Sequence, residues 1–214
     1  MDWTDDRIRQ ELAGRRVLVI EDDIDVAHSV RRLLIDYGVK DDDITIKRCV
    51  EGDSQGGMNV LRREGWGFDL VVVDVMLPYD EAALATCDDL QHQWDQLQEQ
   101  IAPLRGRKGV IAQLTRLRER LTIVSKRLRA TIDREAGVKM INQRLAETLK
   151  TAAEPFARRP AVLFLTARQE ESFRSVLGEC EIPWRWLTKP ALESQLVTAA
   201  AELLSGSGAE QGAR

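Results

Sequence analysis

Residues 69–87 read DLVVVDVMLPYDEAALATC. The run from Leu70 to Val73 is continuous, apolar and β-branched, which is how a strand covered by helices on both faces reads, and it stops at a carboxylate, Asp74. A few residues later the spacing turns helical. The next strand-like stretch, AVLFLT at 161–166, follows only after about ninety residues, about three times the usual length of a connection in a compact α/β fold. The stretch therefore raises two questions: what a carboxylate at a strand end does, and why the chain is interrupted beside it.

Working outward, RVLVI (16–20), ITIKRCV (44–50), DLVVVD (69–74), AVLFLT (161–166) and WRWL (184–187) predict strands. Amphipathic helices are predicted at 24–37, with Val26, Val30, Leu33, Leu34 and Tyr37 inward and Gly38 as the stop, and at about 54–63, 168–178 and 191–204. Strand followed by helix, repeated, predicts an α/β fold with a doubly wound five-stranded parallel sheet. Such sheets bind ligands beyond the carboxyl ends of their strands.

At 214 residues with 43% hydrophobic side chains, the chain can bury a core of its own. A formal charge of −4 gives no general attraction to nucleic acid. No apolar run reaches membrane-spanning length, and MDWTDDRIRQ opens with carboxylates where a secretory signal carries basic residues, so a cytoplasmic protein is expected. Cys49, Cys87 and Cys180 are far apart and lack partners at metal-ligand spacing, and read as buried thiols.

The predicted strand tips carry chemistry. The first ends in Glu21, Asp22 and Asp23, the third in Asp74, the fourth in Thr166, and the fifth runs into Thr188, Lys189 and Pro190. If these tips converge, the carboxylates repel one another unless a cation neutralises them, and an oxygen-liganded ion such as Mg²⁺ suits the set. With Asp74 as nucleophile, Lys189 balancing charge and Thr166 hydrogen-bonding a phosphoryl oxygen, the parts needed to form an aspartyl phosphate are present. Asp23 reads as the cap of the helix at 24, and His28 and His92 as surface residues. A phosphatase of the haloacid dehalogenase type would need an acid two residues after the nucleophile, where Met76 stands, and neither a phosphate-binding P-loop nor G-x-G-x-x-G is present.

VLVIEDD, DLVVVDVMLP, VLFLTAR and WLTKP, in this order, resemble the receiver domain of two-component response regulators, over roughly residues 15–78 and 135–204. The resemblance implies a flavodoxin-like strand order, 2-1-3-4-5. It implies Asp74 as phosphoacceptor and a Mg²⁺ site made by Asp22, Asp74 and the backbone carbonyl of Met76, with Glu21 as the second acidic residue. It further implies Thr166 and Lys189 as switch and charge-pairing residues, and a cis peptide at Lys189–Pro190. Trp186 falls where the family usually carries a Tyr or Phe that swings inward on activation, although Trp184 and Trp186 share a strand face and read equally as packing residues. Met76 and Arg168 fall where the family lines the path of hydrolytic water, which implies slow self-dephosphorylation. The expected function is a stand-alone receiver phosphorylated by a histidine kinase or phosphotransfer protein, catalysing only its own phosphotransfer and dephosphorylation, with output through protein–protein interaction. The alternative is a pseudo-receiver, an adaptor that works without phosphate.

The interruption has its own pattern. Ala83, Cys87, Leu90, Trp94, Leu97, Ile101 and Leu104 recur in steps of four and three, a coiled-coil seam, and after RGRKG a second seam runs through Val110, Leu114, Leu117, Leu121, Val124 and Leu128. Two seams joined by a short turn predict an antiparallel helical hairpin. The first arm is acidic and the second basic, so the arms are expected to pair by charge, which leaves nucleic acid a poor partner. The expected organisation is an N-terminal helix or arm (1–14), the first part of the receiver (15–79), the hairpin insertion (80–134), the second part (135–204) and a flexible tail (205–214). The hairpin is expected to bind a downstream protein or a second copy of itself.

Overall fold

β3 (Leu70–Val73) is buried at every residue and is paired in parallel on both sides, with β1 (Val17–Ile20) and with β6 (Ala161–Thr166). β2 (Ile44–Lys47) extends the sheet beyond β1, and β7 (Trp184–Thr188) beyond β6, giving the order β2-β1-β3-β6-β7. In chain order the five strands thus run 2-1-3-4-5, all parallel. A computed structural model of the chain describes residues 3–64, 67–107, 109–151, 160–167 and 182–206, with backbone alone for 145–151. The helix predicted at 168–178, together with Arg168 and Cys180, lies outside the described residues.

Alternation along the strands sends side chains to two cores. Leu18, Ile20, Val71, Val73 and Phe164 pack on one face with α3 (Gly57–Glu64) and α6 (Ala136–Thr151). Val17, Val19, Val72, Leu163 and Leu165 pack on the other with α1 (Asp5–Leu12), α2 (Ile24–Asp36) and α7 (Glu193–Leu204). Helices on both sides of a parallel sheet make this an α/β fold. No helix among the described residues is long and apolar enough to cross a membrane.

Two local readings shift. The strand expected over 44–50 stops at Lys47, because Arg48 and Cys49 turn their amides to the carbonyl of Gln55 and Cys49 bridges to Gly56. That loop occupies the start of the helix expected at 54, which begins at Gly57 instead.

Between β4 (Leu77–Pro78) and β5 (Ile132–Asp133) the chain leaves the sheet as two long helices, α4 (Glu81–Ile101) and α5 (Ile111–Thr131). Asp80 caps α4 by accepting from the Ala83 amide at 2.8 Å. The turn uses Gly106 and Gly109 at φ +80° and +83°, a backbone region open to glycine at little cost. β4 and β5 pair antiparallel, so the excursion ends beside the point where it began. Leu90, Leu97, Ile101, Leu117 and Val124 form a buried seam between the arms.

The expected charge pairing between the arms is not found: among the described residues no ion pair joins α4 to α5. The reason is phase. At 100° per residue Arg116, Arg120 and Arg127 fall on one flank of the seam, and across the groove from that flank stand Gln93, Gln96 and Gln100 rather than carboxylates. The apolar seam, with the β4–β5 pairing at the root, holds the arms together.

Candidate functional site: the acidic cluster at the carboxyl edge of the sheet

Backbone pairing carries the ladder one residue past the strand ends. The Glu21 amide donates to the Lys47 carbonyl at 3.0 Å and the Asp74 amide to the Ile20 carbonyl at 2.8 Å, so both acids stand at adjacent tips. Glu21, Asp22 and Asp74 each offer a carboxylate oxygen, and these oxygens lie within 4.8 Å of one another. Lys189 reaches in from the end of β7: its Nζ donates to Glu21 Oε2 at 2.6 Å and to Asp74 Oδ2 at 2.7 Å. The other Asp74 oxygen accepts from the Met76 amide at 3.0 Å. Met76 therefore contributes its N–H to the loop.

Thr166 is fully buried at the end of β6, and its carbonyl accepts from the Lys189 amide at 2.6 Å, which places it beside the lysine. The Lys189–Pro190 peptide is cis. Trp186 is turned inward, 5.7 Å from the Phe164 ring, with Trp184 on the same face. Asp23 caps α2 through the amides of Asp25 and Val26, His28 and His92 are exposed, and Cys49 and Cys87 are buried free thiols.

Three carboxylates and one ammonium leave the cluster electrostatically unbalanced. Burial pushes the Glu21 carboxyl up to about 8, with Asp74 adding to the shift against the pull of Lys189. Burial and Asp74 likewise push Asp22 up to about 6. For Lys189 burial acts downward, but the neighbouring Asp74 and Glu21 outweigh it and the net shift is upward. The donor set is all oxygen, and the chemistry of these carboxylates fits a hard divalent ion.

A pH dependence follows. Unfolded, the Glu21 and Asp22 carboxyls titrate near 4.5 and 3.8; folded, they hold protons up to about 8 and about 6. Between these limits the native state binds more protons, so stability falls as pH rises through the window. Thermal midpoints measured without divalent cations are expected to drop from about pH 5 to about pH 8, with Mg²⁺ restoring most at the upper end. Glu21→Gln is expected to remove most of the slope; an unchanged slope would assign it to other groups.

Three residues of the site were not singled out in the sequence. Arg48 was read as part of a strand, but its guanidinium donates twice to the Asp22 carbonyl, at 3.0 and 2.7 Å, and twice to the Asp88 carboxylate of α4, at 3.1 and 2.7 Å. The signal was an arginine inside an apolar run. Glu81 Oε1 accepts from the Ser54 amide and hydroxyl and the Gln55 amide, tying the first turn of α4 to the loop after β2. Gly137 packs against the backbone of Asp74: a Cβ there would sit 2.0 Å from the Asp74 carbonyl oxygen.

No family model matches the chain, and no curated protein matches it. Among solved structures, a fusion carrying the yeast Spc42 trimeric coiled coil, amino acids 181–211, superposes with a TM-score of 0.45 at 17% identity, covering 90% of this chain and 80% of that chain. A likeness that weak carries no argument about function.

Proposed function

We propose that the chain carries a receiver, similar to those of two-component response regulators, phosphorylated on Asp74 by a histidine kinase or phosphotransfer protein. The observation that carries this reading is Lys189, whose Nζ bridges Glu21 and Asp74 at 2.6 and 2.7 Å while Asp22 completes an acidic cluster at the carboxyl edge of a parallel sheet.

The chain's residues divide the work. An Asp74 carboxylate oxygen attacks the phosphorus of a phosphohistidine; the O–P bond forms as the P–N bond breaks, and imidazole leaves. Asp22 and Asp74, with Glu21 and the Met76 carbonyl, would hold Mg²⁺, which neutralises phosphoryl charge when bound. The Met76 amide orients Asp74 by holding its second oxygen. Lys189 keeps Asp74 and Glu21 close before transfer and remains placed to balance phosphoryl charge after it. Thr166 supplies a hydroxyl at the neighbouring strand tip.

Output is assigned to protein–protein interaction through the hairpin. Its root, Leu77–Pro78 paired with Ile132–Asp133, begins three residues after Asp74, and Arg48 links the Asp22 loop to α4. A change at the cluster is thereby transmitted to a stiff lever of about 30 Å.

Acetyl phosphate or beryllofluoride with Mg²⁺ is expected to modify or occupy the wild type and leave Asp74→Asn untouched, read by intact mass and by ligand-induced thermal shift. Absence of both signals with every donor would replace this reading with a phosphate-independent adaptor.

A further inference from the structure

Apart from Asp88, which pairs with Arg48, the arms carry opposite charges with no ion-pair partner among the described residues. On α5 the side chains of Arg116, Arg120 and Arg127 are exposed and have no ion pair among the described residues; on α4 the same holds for Asp89 and Glu99, and α4 has no Lys or Arg. The flank stripes have identical spacing: 89, 93, 96, 100 on α4 and 116, 120, 123, 127 on α5, each i, i+4, i+7, i+11. Between them lies a groove of about 290 Å³ floored by Leu97 and Val124, and beside it Ile123 is 58% exposed. An apolar centre flanked by unsatisfied charge is the anatomy of an interface.

We infer that this face of the hairpin pairs with a second copy of the chain, forming a two-fold four-helix bundle in which α5 of each copy lies on α4 of the other. This rests on the reading of the hairpin as the output element. A polyanion is the poorer occupant, because Asp88, Asp89, Asp95 and Glu99 line the arm next to the basic stripe and the whole chain carries −4. A second copy satisfies both arms at once.

Charge also selects the symmetry. A two-fold axis perpendicular to the helices would stack α5 on α5 and α4 on α4, opposing like charges. An axis parallel to the helices places α4 over α5 twice, makes every neighbouring pair antiparallel and keeps residue levels, so that Arg127 meets Asp89, and Arg116 and Arg120 meet Glu99, of the other copy. It also brings the two sheet domains to the same end. Arms of about 30 Å, two abreast, bury roughly 1,200 Å² in total, the lower end of what a specific dimer needs.

The test uses the full chain in a Cys180→Ser background. Light scattering is expected to show a dimer, and Arg116→Glu, Arg120→Glu and Arg127→Glu together to weaken it by on the order of a hundredfold or more. Under oxidation, a mixture of Gln96→Cys and Ile123→Cys chains is expected to form a disulfide that neither forms alone. A monomeric wild type, an undiminished dimer in the triple variant, or a disulfide in Ile123→Cys alone would overturn the inference, as would capture of an oligonucleotide by monomeric protein through the same arginines. The two readings fail separately. A monomer that still takes up beryllofluoride at Asp74 loses only the dimer, whereas a dimer that ignores every phosphoryl donor loses only the phosphorylation.

Discussion

Gly137→Ala is expected to destabilise the protein by about 3 kcal/mol or more and to abolish Mg²⁺-dependent modification of Asp74. The added Cβ would lie 2.0 Å from the Asp74 carbonyl oxygen and 2.9 Å from its carbonyl carbon. Both are backbone atoms, so no side-chain rotation relieves the clash. The Gly137 amide also donates to the Val75 carbonyl at 3.1 Å, which fastens the start of α6 to the loop leaving Asp74. Either α6 or that loop must move, and both positions hold the acidic cluster together. Gly106→Ala is the control: its φ is +80° but nothing lies within 4 Å of a Cβ there, so its cost is the local backbone strain alone, about 1 kcal/mol. Urea denaturation of the two variants, with beryllofluoride binding measured alongside, reads both effects. Equal midpoints for the two alanine variants would mean that the close approach at Gly137 is not a real constraint.

Replacing residues 80–134 with a short Gly-Ser loop is expected to leave Asp74 modification in place and to abolish self-association. Ile132 and Asp133, the partners of Pro78 and Leu77, leave with the excised segment, and the cut ends, Tyr79 and Glu135, flank that pairing, so a loop of a few residues spans the gap. Glu21, Asp22, Asp74, Thr166 and Lys189 all lie outside the excised segment, and the Lys189 contacts do not depend on it. The deletion removes β5, the Asp88 partner of Arg48 and the three hydrogen bonds accepted by Glu81, so the loop after β2 loosens while the five-stranded sheet stays intact. Intact mass after phosphoryl donor, together with light scattering, separates the two outcomes. If the excised chain associates, or binds a downstream protein, as well as the full chain does, the hairpin is a passive insertion. The output surface would then lie on the sheet domain near Trp186 and α7.

What the amino-acid order determined by itself is the part of the fold governed by local composition. Runs such as Leu70–Val73 and Ala161–Thr166 can lie only where helices cover both faces, so the parallel sheet was legible, as were the acids placed just past the strand ends. The hairpin seam was legible for a related reason: steps of three and four keep apolar groups on one side of any helix.

Charge was harder to read, because an ion pair depends on direction as well as sign. Counting acids on one arm and bases on the other predicted pairing, yet the arginine flank of α5 faces Gln93, Gln96 and Gln100 across the seam. Only the tertiary structure decided the long-range partners. Lys189 bridges Glu21 and Asp74, Arg48 spans from the Asp22 carbonyl to Asp88, and Gly137 rests on the Asp74 backbone, each pairing residues far apart in the chain. No period or propensity encodes such contacts. They exist because strand register and loop closure bring those atoms to within hydrogen-bonding or van der Waals distance, and that is a property of the closed fold rather than of any segment within it.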